Sequence, residues 1–131
     1  MKILRRRISA YTGSDLFLGV FDNELQMQKI KEQQIANFKE HDPWKNQTHH
    51  VVDLEKDIYM QEIEVDRECK ELSSELFIVT CTSEGFGQIY EDLLLVTCSE
   101  ERANSLKEKM KEDNDDPFVV EYDVMRCILN V

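Results

Sequence analysis

The clearest alternation of apolar and polar residues lies in the second half of the chain. Leu76–Thr82 is dense in β-branched and aromatic residues, and Leu93–Cys98 is an almost continuous apolar run. Both patterns are typical of strands, and the second is typical of a strand covered on both sides. Residues Ser83–Asp92 join them and contain two glycines, so the pattern predicts a hairpin with a long connection.

Two other stretches have helical spacing. The first, Glu24–Lys39, follows the N-cap candidates Asp22 and Asn23 and carries apolar residues at Met27, Ile30, Ile35 and Phe38. The second follows Ser99, has a narrow apolar stripe at Ala103, Leu106 and Met110, and is expected to end near Lys111. Glutamates in the first turn and lysines in the last turn suit the helix dipole.

The remaining apolar runs predict further strands. They are Leu4–Thr12, Leu16–Phe21, the closing segment Phe118–Val131, and Val51–Val65, which we expect to be an extended pair bent near residues 55–57. Turn-forming residues at 12–15, a polar loop at His41–His50 and a charged connector at Asp66–Ser74 separate them.

The two halves of the chain align element by element. Val20–Glu24 resembles Val96–Glu100, and Ile58–Val65 can be aligned with Val124–Val131. The order strand, turn, strand, cap, helix, strand therefore occurs twice, over about residues 3–67 and 75–131. We predict one domain over residues 1–131: an α+β, two-layer fold with a mostly antiparallel sheet of about six strands, two main helices and a duplication of a ββαβ unit.

The charge is strongly acidic and uneven. The formal net charge is −11, of which residues 68–131, with 6 basic and 15 acidic residues, carry −9. Such a surface repels phosphates, so we expect no direct nucleic-acid binding. It suits solubility, a basic protein partner or a cation site, of which solubility is the commonest reason.

The four cysteines, Cys69, Cys81, Cys98 and Cys127, have no CxxC spacing. Three lie in apolar runs, where a free cysteine behaves as a small hydrophobe. The chain also has no signal-peptide pattern and no apolar run of about 20 residues. We therefore expect a reduced, cytoplasmic protein with no membrane partner.

No motif for catalysis or a cofactor is present. GxSxG, P-loop and GxGxxG patterns are absent, and neither the adjacent His49 and His50 nor the run Glu112–Asp116 has the spacing of a zinc or EF-hand site. The sequence therefore predicts a protein that is not an enzyme and has no catalytic residue, no metal and no cofactor.

Aromatic residues in polar loops are the best candidates for a binding surface, because they are typical interface anchors, although they can equally fold back over the core. With the acidic run they give the candidate partner-binding residues Phe86, Tyr90, Trp44, Glu112, Asp113, Asp115 and Asp116.

The only dense basic cluster is Arg5–Arg7. On a strand, Arg5 and Arg7 share one face and Arg6 takes the other. The cluster can pair with the acidic second half, which the excess of acid favours, or bind phosphate. In the second case Arg5, Arg7 and Tyr11 are candidate ligand-binding residues, in a pocket between the repeats or at a homodimer interface.

The segments Leu93–Asp113 and Leu18–Phe38 resemble small uncharacterised proteins of phage and prophage genomes, in which a hairpin is followed by a cap and a Lys/Glu-rich helix. The resemblance implies a cytoplasmic accessory protein, in its concrete form an inhibitor that docks on a host nucleic-acid-handling or defence protein. The alternative is a protein that binds or sequesters a small molecule or nucleotide.

Overall fold

A computed structural model describes residues 1–9, 15–48 and 50–130, and for Asn130 the backbone alone. The described chain is α+β, with three helices and one seven-stranded mixed sheet. The elements are β1 Lys2–Arg6, β2 Leu16–Phe21, α1 Glu24–Glu40, α2 Leu54–Asp57, β3 Ile58–Glu62, β4 Glu64–Val65, β5 Glu75–Gly85, β6 Gln88–Thr97, α3 Glu100–Asp113 and β7 Val119–Asn130.

The sheet curls into a nearly closed barrel. Its order is β3-β1-β2-β7-β5-β6-β4, so β3 and β4 lie at opposite ends of the order although only Ile63 separates them in the chain. They are thus one bent strand that pairs with β1 on one side and with β6 on the other. The expected bend at residues 55–57 is instead the helical turn α2.

The strand pairings of the two halves correspond. β1 pairs antiparallel with β2 and β3, β5 pairs antiparallel with β6 and β7, and the two halves join through the parallel pairs β2–β7 and β4–β6. The register of the β1–β2 pair shifts between Leu4 and Arg5. The register of the β5–β6 pair, its counterpart in the second half, shifts between Val79 and Thr80.

The third strands correspond with a different offset from the one predicted. Met60 lies opposite Leu4, and Val124 lies opposite Val79, so Met60 matches Val124. The sequence alignment had matched Met60 to Arg126. Because side chains alternate between the faces of a strand, a shift of two residues preserves the apolar pattern, and the pattern alone could not reveal it.

The predicted two-layer, mostly antiparallel arrangement is confirmed in outline, and the apolar residues form three clusters. Ile3, Val20, Ile78 and Val96 belong to the cluster inside the barrel. A second cluster joins the outer face of β1–β3 to α1, and a third joins Phe77 and Val79 to Ala103 of α3. The sheet therefore has a core on both faces, which explains the continuous apolar runs of its central strands.

The two long helices begin as expected. The side chain of Asn23 accepts a hydrogen bond from the backbone N–H of Gln26, and that of Ser99 accepts one from Arg102. These are N-caps that satisfy one free donor of each first turn. Within the described ranges, no helix has the length and apolarity that crossing a membrane requires.

A buried carboxylate fastens the seam between β4 and β6. Asp66 is 6% exposed; its backbone N–H bonds to Val96 O at 2.8 Å, and its carboxylate accepts from Thr97 Oγ1 at 3.1 Å and from Arg102 Nε at 3.0 Å. The hydrogen bonds from Arg102 and then Thr97 hold the pKa of Asp66 below its usual value of 3.8, against the opposing effect of burial. One side chain thus ties together two strands and a helix.

The expectation that all cysteines are reduced is wrong for two of them. Cys69 and Cys98 form a disulfide across the same seam, with Cα atoms 5.6 Å apart, which is an ordinary separation for such a bond. Cys81 and Cys127 are free and buried, as predicted. The two partners lie 29 residues apart without a recognisable cysteine motif, so their spacing did not predict the bond.

The Asp66 linkage predicts a specific dependence of stability on pH. Since the folded-state pKa lies below the unfolded value, the ionised carboxylate stabilises the fold fully above about pH 4 and loses this effect as pH falls through the lower folded pKa. Asp66→Asn should be less stable than the wild type at pH 7, and the difference should shrink below pH 4. Urea unfolding measured between pH 7 and pH 3 tests this, and a difference that does not change with pH would contradict it.

Candidate functional site

The β5–β6 hairpin ends in a two-residue turn, not in the long connection predicted over Ser83–Asp92. Gly85 pairs with Gln88, so only Phe86 and Gly87 lie outside the strands. Both have positive φ, 54° and 75°, as in a type I′ turn. The rest of the segment is therefore strand, and it presents its side chains at a projecting end of the sheet.

Phe86 is an unusual residue for the first turn position. A type I′ turn favours Asn or Gly there, because a left-handed backbone costs other residues roughly 1 kcal/mol. Phe86 is also 95% exposed, so burial in the described fold does not offset the cost. Strained residues of this kind are concentrated at functional sites.

The ring of Phe118 lies beside Phe86. Their centroids are 5.7 Å apart, and Glu84 N donates to Phe118 O at 2.8 Å. Gly85 makes room for this arrangement, because a Cβ at that position would come within 2.8 Å of the Phe118 ring. The turn aromatic is therefore positioned by the residues just before β7.

The acidic run reaches the same place. Glu112 and Asp113 belong to the end of α3, two residues beyond its predicted end, and Asp116 caps the following turn by accepting from Phe118 N at 2.9 Å. We call residues 83–92 and 112–123 together the hairpin end. It contains nine acidic residues and no lysine or arginine.

Exposed apolar side chains concentrate at the hairpin end. Ten large hydrophobic residues of the described chain are exposed, and the three aromatics among them are all here. The hairpin-end members are Phe86, Ile89, Tyr90, Phe118 and Val120, with exposures of 95%, 45%, 42%, 47% and 59%. An apolar centre within an acidic surround has the composition of a protein-binding surface.

Trp44 is not part of this surface. It is half-buried in the loop after α1, where its backbone N–H donates to Asp42 Oδ1 at 3.0 Å. Asp42 is in turn held by β1, so this loop is fastened against the first half of the barrel. The structure therefore separates Trp44 from the candidate residues of the hairpin.

The arginine cluster divides between the two faces of β1, as predicted. Arg6 is fully buried on the outer face, donates to both oxygens of Asp42 at 2.9 and 2.7 Å, and stacks on Phe38 at 4.4 Å. This bidentate bond is the largest of the effects that lower the pKa of Asp42. Arg7 is 3.7 Å from Asp57. The described ion pairs of the cluster are thus with the first half of the chain, and the favoured pairing with the second half is wrong.

Arg5 is different, because it is buried without a carboxylate partner in the described part of the chain. It is 5% exposed. Among the residues that the structure describes, its Nη atoms reach only the side-chain oxygen of Gln61 and the backbone oxygens of Asp15 and Glu91, all at 3.4 Å, and its Nε, like that of Arg6, has no hydrogen-bond partner. Charge-assisted hydrogen bonds are normally 2.7–2.9 Å long.

Arg5 faces a cleft of about 430 Å³ on the inner side of β1, where β3 and β6 separate. The cleft is lined by Arg5, Arg7, Ser9, Asp15, Tyr59, Gln61, Tyr90, Glu91 and Asp92. We call it the Arg5 cleft. Tyr90 therefore belongs to both surfaces, whereas Tyr11, the third predicted ligand residue, lies outside the described residues.

Tyr59 donates a short hydrogen bond to Asp15 in this cleft. Burial first, and then this bond, raise the pKa of Tyr59 to about 12. The hydroxyl therefore keeps its proton at neutral pH and orients the carboxylate. No group of three His, Cys, Asp or Glu side chains suited to a metal ion occurs among the described residues.

Sequence reasoning missed Phe118, Tyr59 and Gln61. The alternation of β3 does place Tyr59 and Gln61 on one face. Their position beside Arg5 follows from the register between β1 and β3, which the sequence does not encode locally. The sequence pattern places Phe118 in a closing strand. Its contact with the hairpin turn, where its ring lies against Gly85, is visible only in the folded structure.

Replacing Arg5 and replacing Arg6 should have opposite effects on stability. Arg6→Met should cost about 3 kcal/mol of unfolding free energy, because it leaves the Asp42 carboxylate buried without its cation. Arg5→Met leaves no carboxylate behind, so stability should be unchanged or higher by about 1 kcal/mol. Urea denaturation at pH 7 measures both, and an equal loss in the two variants would contradict the assignment.

Comparison of the chain with family models, with curated proteins and with solved structures finds no significant match, so these features rest on the geometry alone.

Proposed function

We propose that the protein is a non-enzymatic binding protein whose hairpin end docks on a partner protein. The observation that carries the proposal is Phe86: a large aromatic in a left-handed turn position, 95% exposed, with Phe118 beside it. A residue that costs stability and buries almost nothing in its own fold is accounted for if it is buried by another molecule.

The charge of the hairpin end supports a basic partner. None of its nine acidic residues takes part in an ion pair within the described residues. Their negative electrostatic field is therefore not neutralised by neighbouring basic side chains. Such a field speeds encounter with a positively charged surface, and exposed aromatics then supply the contact area. The partner surface would therefore have an apolar centre surrounded by lysine or arginine.

A concrete version is a phage-type inhibitor of a host nucleic-acid-handling or defence protein. Proteins that handle nucleic acids present basic surfaces to phosphates, which an acidic docking surface can occupy. The resemblance to phage and prophage accessory proteins points the same way. A cytoplasmic location belongs to this version. The Cys69–Cys98 bond weighs against it, since disulfides form mainly in oxidising compartments.

We also propose that the chain is a duplicated ββαβ unit in which only the second copy acquired the docking surface. The matching register shifts and N-caps support the duplication. The strands of the second hairpin have 11 and 10 residues, against 5 and 6 in the first, and the added length carries Phe86. A homodimer remains compatible with both ideas.

Replacing Phe86 should separate stability from binding. Phe86→Asn suits the type I′ turn, so the unfolding free energy should equal or exceed that of the wild type by about 0.5 kcal/mol. Affinity for the partner should fall about thirtyfold, the factor that corresponds to a loss of about 2 kcal/mol at an interface anchor. The partner is to be captured from a bacterial host lysate with the wild type as bait, identified by mass spectrometry, purified and titrated.

Leu25→Asn is the matched control, because Leu25 is an 83% exposed apolar residue on α1, away from the hairpin end. It should bind like the wild type. A triple variant, Glu112→Gln with Asp113→Asn and Asp115→Asn, should bind more slowly at low salt and lose most of the salt dependence of binding. Equal binding by Phe86→Asn and the wild type would refute the proposal.

A further inference from the structure

We propose that the Arg5 cleft is a second binding site, for a small zwitterion of the amino-acid class: one oxyanion group joined to an amino group a few ångströms away. The site is independent of the docking function proposed above, although Tyr90 borders both. Arg5 is a buried, poorly bonded cation, and it faces a cleft that acidic residues also line.

The oxyanion side of the site is Arg5. Arg6, its neighbour on the strand, shows what a satisfied buried guanidinium looks like here, with two hydrogen bonds of 2.9 and 2.7 Å to one carboxylate. The Nε atoms of both arginines are without a hydrogen-bond partner among the described residues, so the difference lies in the Nη groups: those of Arg5 have only contacts of 3.4 Å to neutral oxygens. A buried guanidinium is expensive unless it is paired, and a planar carboxylate matches its two parallel donors.

The opposite side of the site is acidic. The acidic residues Asp15, Glu91 and Asp92 line the cleft together with Arg5 and Arg7. Glu91 meets Arg5 through its backbone oxygen, the Asp15 carboxylate accepts from Tyr59, and Arg7 is shared with Asp57. This balance opposes a ligand with several negative charges. It favours one whose anionic group meets Arg5 while a positive or hydrogen-donating group meets the Asp15 carboxylate.

The strand geometry explains why a cleft exists at this place. β4 pairs with β6 only at Glu64–Leu95 and Val65–Val96. Beyond that point the carbonyls of β6 accept hydrogen bonds from side chains instead of from a strand. Gln61 Nε2 donates to Leu93 O and Arg5 Nη1 donates to Glu91 O, each at 3.4 Å. These hydrogen bonds are long, so the side chains fill the gap in the strand ladder only loosely and leave room for a ligand. The volume of 430 Å³ lies within the usual size range of small-molecule sites.

Tyr59 and Tyr90 complete the walls. Tyr59 fixes the Asp15 carboxylate by its hydrogen bond, so that one acceptor for an amino group is already oriented. Tyr90, 42% exposed, offers a ring at the cleft border against which an apolar side chain of the ligand can lie. The register of β1 with β3 brings Arg5 directly opposite Tyr59.

The test is a thermal-shift screen of the full chain against each of the twenty free L-amino acids at 10 mM, with isothermal titration calorimetry for any that raises Tm. At least one should raise Tm by about 2 °C and bind saturably. The matching carboxylic acid without the amino group, and inorganic phosphate, should bind at least tenfold more weakly. No shift with any amino acid would overturn the proposal, and so would equal binding by the amine-free acid.

Variants identify the site. Arg5→Met should abolish the shift, and Arg7→Gln should weaken binding several-fold. Arg126→Met, which removes an exposed arginine of β7, is the matched control and should bind like the wild type. Phe86→Asn should also bind the amino acid normally, so failure of this site and failure of the docking surface can be told apart. Binding unchanged in Arg5→Met, with the variant folded by circular dichroism, would overturn the assignment.

Discussion

The fold depends on the closure of its sheet at the seam between β4 and β6. Without that contact the chain would be an open sheet with two free edges, and the inner faces of its strands would face water. Closure uses two paired residues of β4, the Asp66 N–H bond to Val96 O, and the carboxylate of Asp66 held by Thr97 and Arg102. A charge that is buried and fully bonded in this way specifies one register, because a slipped strand would leave it unpaired.

Closure is also incomplete, and both candidate surfaces lie where it stops. The ladder between β4 and β6 ends at Leu95, and from there β6 continues towards the hairpin turn with its outer edge facing the Arg5 cleft. The same continuation carries Tyr90, Ile89 and Phe86 away from the core. Residues 93–97 of β6 are therefore mostly buried among the strands and support the fold. Residues 88–92 are more exposed and lie outside the core of the barrel.

The sequence predicted those parts of the fold that depend on local patterns. Both main helices, their N-caps Asn23 and Ser99, and the apolar strands β2, β5 and β6 followed from spacing and composition. The separation of Arg5 from Arg6 followed from strand alternation. These features are local, because periodicity and capping involve residues that are near each other in the chain.

The rest depends on contacts between distant residues. The closure of the barrel, the disulfide between Cys69 and Cys98, and the contact of Phe118 with Phe86 join segments whose patterns do not refer to each other. The long connection predicted at Ser83–Asp92 was wrong because glycines and polar residues predominate there and the adjacent Ile89 and Tyr90 give no apolar alternation, which resembles a loop. An open sheet and a nearly closed barrel also share the same alternation of apolar and polar residues, so the pattern could not show how far the sheet closes.

Amide hydrogen exchange at the seam tests the closure of the barrel most directly. The N–H of Asp66, bonded to Val96 O across the seam, should be protected nearly as strongly as those of β5, whereas the N–H of Glu91, on the cleft-facing edge of β6, should exchange much faster. If Asp66 exchanges as fast as exposed loop residues while β5 stays protected, the sheet is open in solution and the barrel and its cleft do not form as described.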